Sequence, residues 1–373
     1  MAQPASCTAA DILIIGAGIA GAGVAAHLPE ELKVVMLERE DHPGYHSTGR
    51  SAAIFIQNYG NAVIRQLTQL SRPYFIHPDP ALFEHSLTSP RGRLFLETDP
   101  DKGDFDRLMS QAEGLVPISL EQAKGLVPFL NTDRMHRAAY EEGAMDLDVA
   151  GLHQTWLKKG RKQGVELVVK ASVSAIQYHQ QQWQVKSAQG NYQAPILINA
   201  AGAWADKIAE MAGVSPCNII PHRRSMAVVP KSELTIPDSA PSFCSVHNHW
   251  YAKPENGHLF ISPADEDPIP AQDAYVDDMV LAEGLYRFEQ DNHFPVTRVE
   301  RSWAGLRSFA PDRSPVVGFD PQAEGFFWLA GQGGYGIQTA PALSKLAAQL
   351  VSGVQLDPCF LSQLIRGLLP DRF

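Results

Sequence analysis

The residues that point most clearly to a chemistry are three glycines, Gly16, Gly18 and Gly21, in the stretch Gly-Ala-Gly-Ile-Ala-Gly. In this spacing the first glycine permits a tight turn, the second lets the backbone approach a pyrophosphate, and the third lets a helix pack closely on a strand. A helix that begins near Ile19 and Ala20 would direct unpaired N–H groups and a partial positive charge at the phosphates. The pattern therefore predicts a dinucleotide site, and an ordinary tight turn is the alternative.

A carboxylate follows at the spacing that such a site requires. Glu38 ends the next apolar run, about twenty residues beyond the first glycine, where it could accept hydrogen bonds from ribose hydroxyls and would repel a 2′-phosphate. Glycines and carboxylate together predict a dinucleotide but do not separate FAD from NAD.

Three further segments favour FAD. Residues 47–53 are rich in hydroxyl and small side chains, which suits a helix N-terminus beside a second phosphate. Residues 199–204 end a strand in small side chains that allow a flat ligand to approach, and residues 331–336 precede a helix whose dipole could face a reduced flavin. Each segment alone could be a plain glycine-rich turn, but their joint spacing is harder to explain in that way.

The elements that would position these segments follow from short apolar runs. Buried strands are predicted at residues 11–15, 33–37, 165–169, 196–200 and 326–330, and helices at 19–28 and 342–350. This βαβ start predicts an α/β fold with a parallel, doubly wound sheet. The remaining stretches alternate apolar with polar residues and contain many prolines, which suits a mostly antiparallel sheet. We expect a discontinuous FAD-binding domain (residues 1–75, 146–215 and 319–373) and a substrate domain (residues 76–145 and 216–318).

Composition narrows the function classes. The chain of 373 residues has a formal net charge of -10, which argues against nucleic acid as a partner. Its four cysteines form no CxxC and no zinc-like cluster, so no metal is expected and the thiols suit a reducing, cytoplasmic compartment. No apolar run is long enough to span a bilayer, and the N-terminus lacks the basic start of a signal peptide. A peripheral membrane contact stays open.

In their order along the chain these segments resemble the flavoprotein superfamily of D-amino-acid oxidase, glycine oxidase and sarcosine oxidase. The resemblance covers nearly the whole chain and rests on GAGIAG, LERE, HSTGRSAA, NAAGAWAD, WAGLR and GQGGYGIQTA. The branch that it resembles most is that of D-arginine dehydrogenase, a broad D-amino-acid dehydrogenase. The resemblance implies a GR2-type Rossmann-like FAD domain with an inserted α+β substrate domain, and a non-covalent FAD, because no cysteine lies near Arg307.

Carried over residue by residue, the resemblance implies a set of cofactor contacts. They are Gly16, Gly18, Ile19, Ala20, Gly21, Glu38, Arg39, His46, Ser47, Thr48, Arg50, Ser51, Ala52, Ala53, Val173, Ala201, Gly202, Trp204, Gly305, Gly331, Gly333, Gly334, Tyr335, Gly336, Ile337 and Gln338. Val173 would contact the adenine through its backbone, and the part played by His46 at the flavin edge is left open.

The resemblance also implies a substrate site. Arg307 would hold the substrate carboxylate in a two-pronged hydrogen bond, with Arg224 and Tyr251 as further donors. The Gly334 carbonyl and the Gln338 side chain would lie near the substrate amine. Tyr59 would be an active-site tyrosine on a mobile loop. Each has a plainer alternative: adjacent Arg223 could replace Arg224, the tyrosines could be ordinary strand or turn residues, and Gln338 could only pack in its helix.

Two positions depart from that branch. Ile54 stands where D-arginine dehydrogenase has a histidine, and Arg93 stands where it has the acidic residue that receives a cationic side chain. An arginine there would repel D-Arg and D-Lys and could favour an acidic or neutral side chain. Alternatively, Arg93 could turn outward to Glu97 or to solvent.

The sequence therefore predicts an FAD-dependent oxidoreductase that oxidises the α C–N bond of a D-amino acid or related small amine by hydride transfer to flavin N5. No histidine or acid stands out as a base, and a substrate bound as a neutral amine would need none. A 2-hydroxy-acid dehydrogenase of the 2-hydroxyglutarate type is the main alternative; a tRNA-modifying flavoprotein domain and a non-catalytic FAD-binding subunit are weaker ones. The electron acceptor, a quinone or O2, is not set by the sequence.

Overall fold

A computed structural model describes residues 7–231 and 236–373. The strands in chain order are β1 (Cys7–Ala9), β2 (Ile12–Ile15), β3 (Val34–Leu37), β4 (Ile54–Phe55), β5 (Thr88–Pro90), β6 (Arg93–Glu97), β7 (Leu115–Ile118), β8 (Arg137–Glu141), β9 (Met145–Leu147), β10 (Glu166–Val168), β11 (Val173–His179), β12 (Gln182–Ser187), β13 (Gly190–Ala194), β14 (Ile196–Asn199), β15 (Ile220–Pro230), β16 (Ser242–Ser245), β17 (Tyr251–Glu255), β18 (His258–Ser262), β19 (Arg301–Phe309), β20 (Val316–Phe319) and β21 (Phe326–Ala330).

The α-helices among the described residues are α1 (Ile19–His27), α2 (Ala62–Ile76), α3 (Asp104–Gln111), α4 (Leu120–Leu126), α5 (Val149–Lys162), α6 (Ala205–Met211), α7 (Asp278–Asp291), α8 (Gly336–Ser352) and α9 (Ser362–Arg366). Short 3-10 turns lie at Pro100–Lys102, Thr132–Arg134, Gly202–Trp204 and Pro370–Arg372. None of the helices in the described part of the chain has the length and apolar character needed to cross a bilayer.

A six-stranded sheet in the order β10-β3-β2-β14-β21-β20 forms the centre of the nucleotide-binding part. Its first five strands are parallel and β20 is antiparallel. Strands β2, β3 and β21 are buried at every residue, as continuous apolar runs in a parallel sheet should be. One face packs on α1 and α8, while a four-stranded sheet, β1-β13-β12-β11, covers the other face with α6.

An eight-stranded sheet, in the order β19-β15-β18-β17-β16-β6-β8-β7, forms the second large layer. All of its neighbouring strands are antiparallel except β16 and β6. Its core includes Phe243, Trp250 and Phe288, which pack α7 onto one face. The expected mostly antiparallel sheet is therefore present, as is the α/β fold class.

The predicted strands appear within a residue or two of their expected bounds, and the helix expected at residues 342–350 begins earlier, as α8 at Gly336. The hairpins β11 to β13 were not expected. The domain boundaries remain a prediction, because a three-stranded sheet, β4-β9-β5, joins strands from both proposed domains. Residues 1–6 and 232–235 of those domains lie outside the described residues.

Candidate active site

One cavity lies where the carboxyl ends of the parallel strands face the eight-stranded sheet. The sequence-predicted residues that line it are Gly16, Gly18, Ile19, Ala20, Glu38, Arg39, His46, Ser47, Thr48, Arg50, Ser51, Ala52, Ala53, Ile54, Tyr59, Arg93, Val173, Ala201, Gly202, Trp204, Arg224, Tyr251, Gly305, Arg307, Gly333, Gly334, Gly336, Ile337 and Gln338. Gly21, Gly331 and Tyr335 do not line it. The fold therefore brings the glycine motif and the arginines to one space, as expected where strand order reverses in an open α/β sheet.

The glycines of the glycine-rich turn have two different roles, one in folding and one in ligand binding. Gly16 has φ +102°, and a Cβ there would lie 2.4 Å from the Ala200 carbonyl oxygen. A Cβ on Gly21 would lie 1.9 Å from the Gly16 oxygen, so Gly21 acts in packing, which explains why it does not reach the cavity. A Cβ on Gly18 would meet only Thr48 Oγ1, at 3.2 Å, and would otherwise occupy the cavity. Gly18 is thus the glycine that a ligand needs.

Glu38 is fixed at the end of β3. Its Oε2 accepts from the Ala17 amide at 2.9 Å and its Oε1 from the Glu40 amide at 3.0 Å, and the residue is 7% exposed. His153 Nε2 lies 2.8 Å from the Ala17 carbonyl oxygen and supports the same turn from α5. A buried carboxylate beside the N-terminus of α1 suits the ribose of a dinucleotide.

The segment 47–53 links the two large sheets. Thr48 Oγ1 accepts from the Ile19 amide at 3.0 Å, and Ser47 Oγ donates to the Leu306 carbonyl at 2.8 Å. The Arg50 guanidinium donates to the carbonyls of Ala274 (2.7 Å) and Ala304 (3.0 Å) and pairs with Asp273. The donors of Arg50 thus join this segment to the substrate-side sheet. Arg50 also lines the cavity, and its expected contact with the cofactor stays a prediction.

The wall near the nucleotide end is aromatic. The Trp204 ring contacts the Arg39 guanidinium, 4.7 Å from its centroid, and the His46 ring, whose centroid is 4.6 Å away. His46 Nε2 lies 2.9 Å from a Glu40 carboxylate oxygen, and His46 Nδ1 is buried without a hydrogen-bond partner among the described residues. A ring nitrogen in this state is available to a ligand in the cavity.

These features fit FAD. The glycine turn leaves a space beside Gly18, the helix N-terminus and Glu38 match a pyrophosphate and a ribose, and the wall offers an unpartnered donor or acceptor at His46. Gly333, Gly334 and Gly336 carry the cavity onward to the first turn of α8, whose dipole faces it. Gly331, by contrast, only turns the chain after β21, with φ +74°.

The far end of the cavity is cationic, and Arg307 lies at its centre. Arg307 is on β19, and its NH1 donates to the Tyr59 hydroxyl at 3.0 Å. A Cβ on Gly334 would approach the guanidinium carbon to 3.0 Å, so only glycine leaves room for this arginine. Tyr335, behind the cavity wall, packs edge-to-face on Tyr59 with ring centroids 4.7 Å apart, and burial raises the pKa of Tyr335 to about 12.

Three arginines act on one tyrosine. Burial pushes the pKa of Tyr59 upward, but the charges of Arg307, Arg224 and Arg93 and the hydrogen bond from Arg307 outweigh it, so the pKa is lowered. Tyr251, on β17, completes this end, with its ring centroid 5.8 Å from the Arg224 guanidinium carbon. The site is therefore built to hold negative charge.

The choice between two adjacent arginines follows from the pleat of β15. Arg223 is buried and pairs with Asp265 (3.3 Å) and Asp267 (3.0 Å). Arg224 points the opposite way and lines the cavity, and its Nε donates to the Asp265 carbonyl at 2.7 Å. The alternative that Arg223 replaces Arg224 is thereby set aside.

Arg93 faces the cavity from β6. The alternative pairing with Glu97 does not occur, because Glu97 is held by Arg137 through two hydrogen bonds of 2.6 and 2.7 Å. Ile54, from β4, lines the cavity as an apolar neighbour, and Cys244, from β16, lines it beside Arg93.

Gln338 lines the cavity, but its amide is already bonded. Its Nε2 donates to Thr68 Oγ1 (2.8 Å) and the Ile56 carbonyl (3.2 Å), and its Oε1 accepts from the Ile56 amide (3.3 Å). Gln338 therefore holds the segment that leads to Tyr59, in addition to packing in its helix. Its expected contact with a substrate amine stays a prediction.

Sequence reasoning missed residues that hold the site from behind. The Asp265 carboxylate accepts from the Ser225 amide at 2.7 Å and hydroxyl at 2.8 Å while its carbonyl holds Arg224. The Glu141 carboxylate accepts from the Gln57 amide at 2.7 Å and from the Asn58 side chain at 2.9 Å, and burial raises the pKa of Glu141. No local pattern marks either acid, because their partners are distant in sequence.

Comparison with known proteins identifies the fold and family. The model of the DAO family, described as FAD dependent oxidoreductase, matches residues 11–350. Mitochondrial sarcosine dehydrogenase of Mus musculus is 26% identical over 355 residues, which are 87% of this chain and 37% of that protein. The chain thus spans little more than a third of that relative.

Solved structures superpose over nearly the whole chain. L-proline dehydrogenase from P. horikoshii has a TM-score of 0.80 at 23% identity, covering 98% of this chain and 100% of that one. L-alpha-glycerophosphate oxidase from Mycoplasma pneumoniae, with FAD bound, has a TM-score of 0.82 at 16% identity, covering 92% and 95%. These likenesses show the fold, and the two proteins are named for different kinds of substrate, an amino acid and a glycerophosphate.

Proposed function

The chain belongs to the DAO family of FAD-dependent oxidoreductases, and from this premise we propose that it oxidises the α C–N bond of a D-amino acid or a related small amine to the imine. Water would then hydrolyse the imine to a 2-oxo acid and ammonia. The preference for the D form is carried over from the resemblance to D-amino-acid dehydrogenases.

The observation that carries this proposal is the guanidinium of Arg307 in the cationic end of the cavity. Its fork can bind a carboxylate through two parallel hydrogen bonds, which fixes the orientation of the α-carbon. Arg224 and the Tyr251 hydroxyl lie in the same end, so both can add donors to that carboxylate.

Bound FAD supplies the redox chemistry by accepting a hydride from the α-carbon, and a separate acceptor, a quinone or O2, later takes the electrons. The protein's own part is to orient and to exclude water. Gly334 lies beside Arg307, and the resemblance implies that its backbone carbonyl accepts a hydrogen bond from the substrate amine. Glu38 is the only acid among the described residues that line the cavity, and it lies at the nucleotide end. No carboxylate is therefore placed to take a proton from the substrate amine, so we expect the amine to bind in its neutral form, which needs no protein base.

The positive charge at this end of the cavity also limits which substrate side chains can bind. A cationic substrate would meet Arg93, Arg224 and Arg307 together, and like charges at close range cost affinity. We therefore expect D-Arg and D-Lys to be poor substrates of this chain.

The test is anaerobic mixing of the FAD-loaded protein with D- and L-amino acids and 2-hydroxy acids, with flavin bleaching and ammonia release as readouts. We expect D-amino acids to bleach the flavin and release ammonia, with D-Arg and D-Lys among the slowest. Highest kcat/KM for D-Arg and D-Lys would overturn the side-chain argument, and no bleaching by any amine would overturn the proposal.

A second candidate is a 2-hydroxy-acid dehydrogenase of the 2-hydroxyglutarate type. Arg93 favours it, because a third arginine suits a second carboxylate. No histidine lies among the described residues at the cationic end of the cavity, and a hydroxyl substrate would usually need such a base. Bleaching by 2-hydroxyglutarate without bleaching by amino acids would select this candidate.

A further inference from the structure

We propose that Arg93 binds a second carboxylate, so that the preferred substrate is an amine that carries two carboxylates, such as D-aspartate or D-glutamate. This inference rests on the proposed function for the amine, but the anion site itself does not. The inference identifies Arg93 as the residue that distinguishes one substrate side chain from another.

The Arg93 guanidinium is short of partners. Its Nε is buried without a hydrogen-bond partner among the described residues, and its other contacts are weak ones, to Ser242 Oγ at 3.5 Å from NH1, to the Cys244 thiol and to the Phe95 ring. No carboxylate oxygen in the described part of the chain lies within 4.0 Å of its nitrogens. Arg93 is half-buried, and a buried Nε–H without an acceptor costs free energy unless a ligand completes its hydrogen bonds.

The acids that could have neutralised Arg93 are committed elsewhere. Glu141 is its partner in the register between β6 and β8, but the Glu141 carboxylate turns to the Gln57 amide and the Asn58 side chain. Glu266 lies near Arg224 rather than Arg93, and it pairs with Arg313 at 2.7 Å and with Arg224 at 3.7 Å. Glu141 attracts Arg93 electrostatically, but no carboxylate in the described part of the chain forms an ion pair with Arg93.

The sheet sets the spacing of the anion sites. Arg307 and Arg224 lie on the first two strands, β19 and β15, and Arg93 lies on the sixth, β6. Four strand spacings separate the backbones of Arg224 and Arg93 by about 19 Å along a flat sheet. All three arginines nevertheless line one cavity, so their long side chains can reach into the same space. Their charges together lower the pKa of Tyr59, which agrees with that placement.

The first test measures binding without turnover. Glutarate and succinate, and the monocarboxylates butyrate and propionate, are titrated into the FAD-loaded protein by calorimetry and by the change in flavin absorption. We expect the wild type to bind the dicarboxylates at least about tenfold more tightly, the effect of one or two hydrogen bonds to a charged group. Arg93→Gln should abolish the preference and Arg93→Lys should keep part of it.

Arg161→Gln is the matched control, since it removes the same charge from an exposed position on α5 and should leave the preference intact. Equal affinity for mono- and dicarboxylates in the wild type, or a preference that survives Arg93→Gln in a folded protein, would overturn the inference.

The second test separates this inference from the proposed function. D-glutamate and D-aspartate are compared with their neutral amides, D-glutamine and D-asparagine, in anaerobic flavin reduction. We expect the acids to react with at least about tenfold higher efficiency, and only in proteins that keep a cation at position 93. If the amides react equally well, the Arg93 inference is wrong while the proposed function stands. If dicarboxylates bind through Arg93 but no amine reduces the flavin, the proposed function is wrong while the anion site stands.

Discussion

Two alanine substitutions in the glycine-rich turn should separate cofactor binding from folding. In Gly18→Ala the new Cβ would lie 3.2 Å from Thr48 Oγ1, and the backbone φ of -70° is one that alanine adopts. The apoprotein should keep its stability within about 1 kcal/mol, whereas a methyl group where a pyrophosphate packs should cost about 1–3 kcal/mol of FAD binding. That cost weakens FAD affinity about 5- to 150-fold.

Gly21→Ala should lower the stability of the fold. Its Cβ would lie 1.9 Å from the Gly16 carbonyl oxygen, a backbone atom that cannot move without separating α1 from β2. We expect a loss of about 3 kcal/mol or more of unfolding free energy. Gly125→Ala is the control, because nothing lies within 4 Å of a Cβ there and the residue sits in helix α4.

The assay is denaturant unfolding of each apoprotein, together with FAD titration followed by flavin fluorescence. The control should match or slightly exceed wild-type stability and bind FAD normally. If Gly18→Ala binds FAD as tightly as the wild type, or if Gly21→Ala is as stable as the control, the division of roles within the turn is wrong.

Three further predictions concern the walls of the site. Tyr59→Phe removes the hydroxyl bonded to Arg307, so the KM for a carboxylate substrate should change by about 2- to 10-fold. Because the arginines lower the pKa of Tyr59, substrate binding by the wild type should weaken as pH rises and this hydroxyl ionises. If the variant kept the same pH profile of KM as the wild type, this role of Tyr59 would be contradicted. Asp265→Asn loosens the loop that holds Arg224 and should raise KM more than it lowers kcat, while a pure loss of stability in unfolding assays would contradict a positioning role. Burial lowers the pKa of His27 from 6.5 to about 4, so between these pH values the unfolded chain binds more protons than the folded one. The free energy of unfolding should therefore fall by up to about 3 kcal/mol as pH drops through this range. His27→Gln should remove that loss, and equal acid sensitivity of variant and wild type in denaturant unfolding would contradict this prediction.

The nucleotide-binding half could be predicted from the sequence because its signals are local. The run Phe326–Ala330 is apolar throughout and ends at a glycine, and it forms β21 at those bounds. Likewise the turn from Gly16 to Gly21 needs only the strand before it and the helix after it. In such segments, local propensity and tertiary burial agree.

The features that could not be predicted depend on contacts across the chain. Arg50 donates to the carbonyl of Ala304, which is distant in sequence, and Gln338 donates to Thr68 in the same way. Arg223 and Arg224 differ only in which face of β15 each occupies, and the register with β19 decides that. No periodicity in a single sequence reports such pairings, and the same holds for the hairpins β11 to β13.

The central claim is that Arg307 holds a substrate carboxylate within reach of the cofactor. The direct measurement is anaerobic flavin reduction by the best D-amino acid of the panel, in the wild type, in Arg307→Leu, and in Arg301→Leu, which removes an exposed arginine from the same strand. The account predicts that Arg307→Leu keeps its FAD but loses about 100- to 1,000-fold in reduction efficiency, as expected for a lost pair of charge-assisted hydrogen bonds, while Arg301→Leu reacts normally. Equal reduction by Arg307→Leu and the wild type would contradict it.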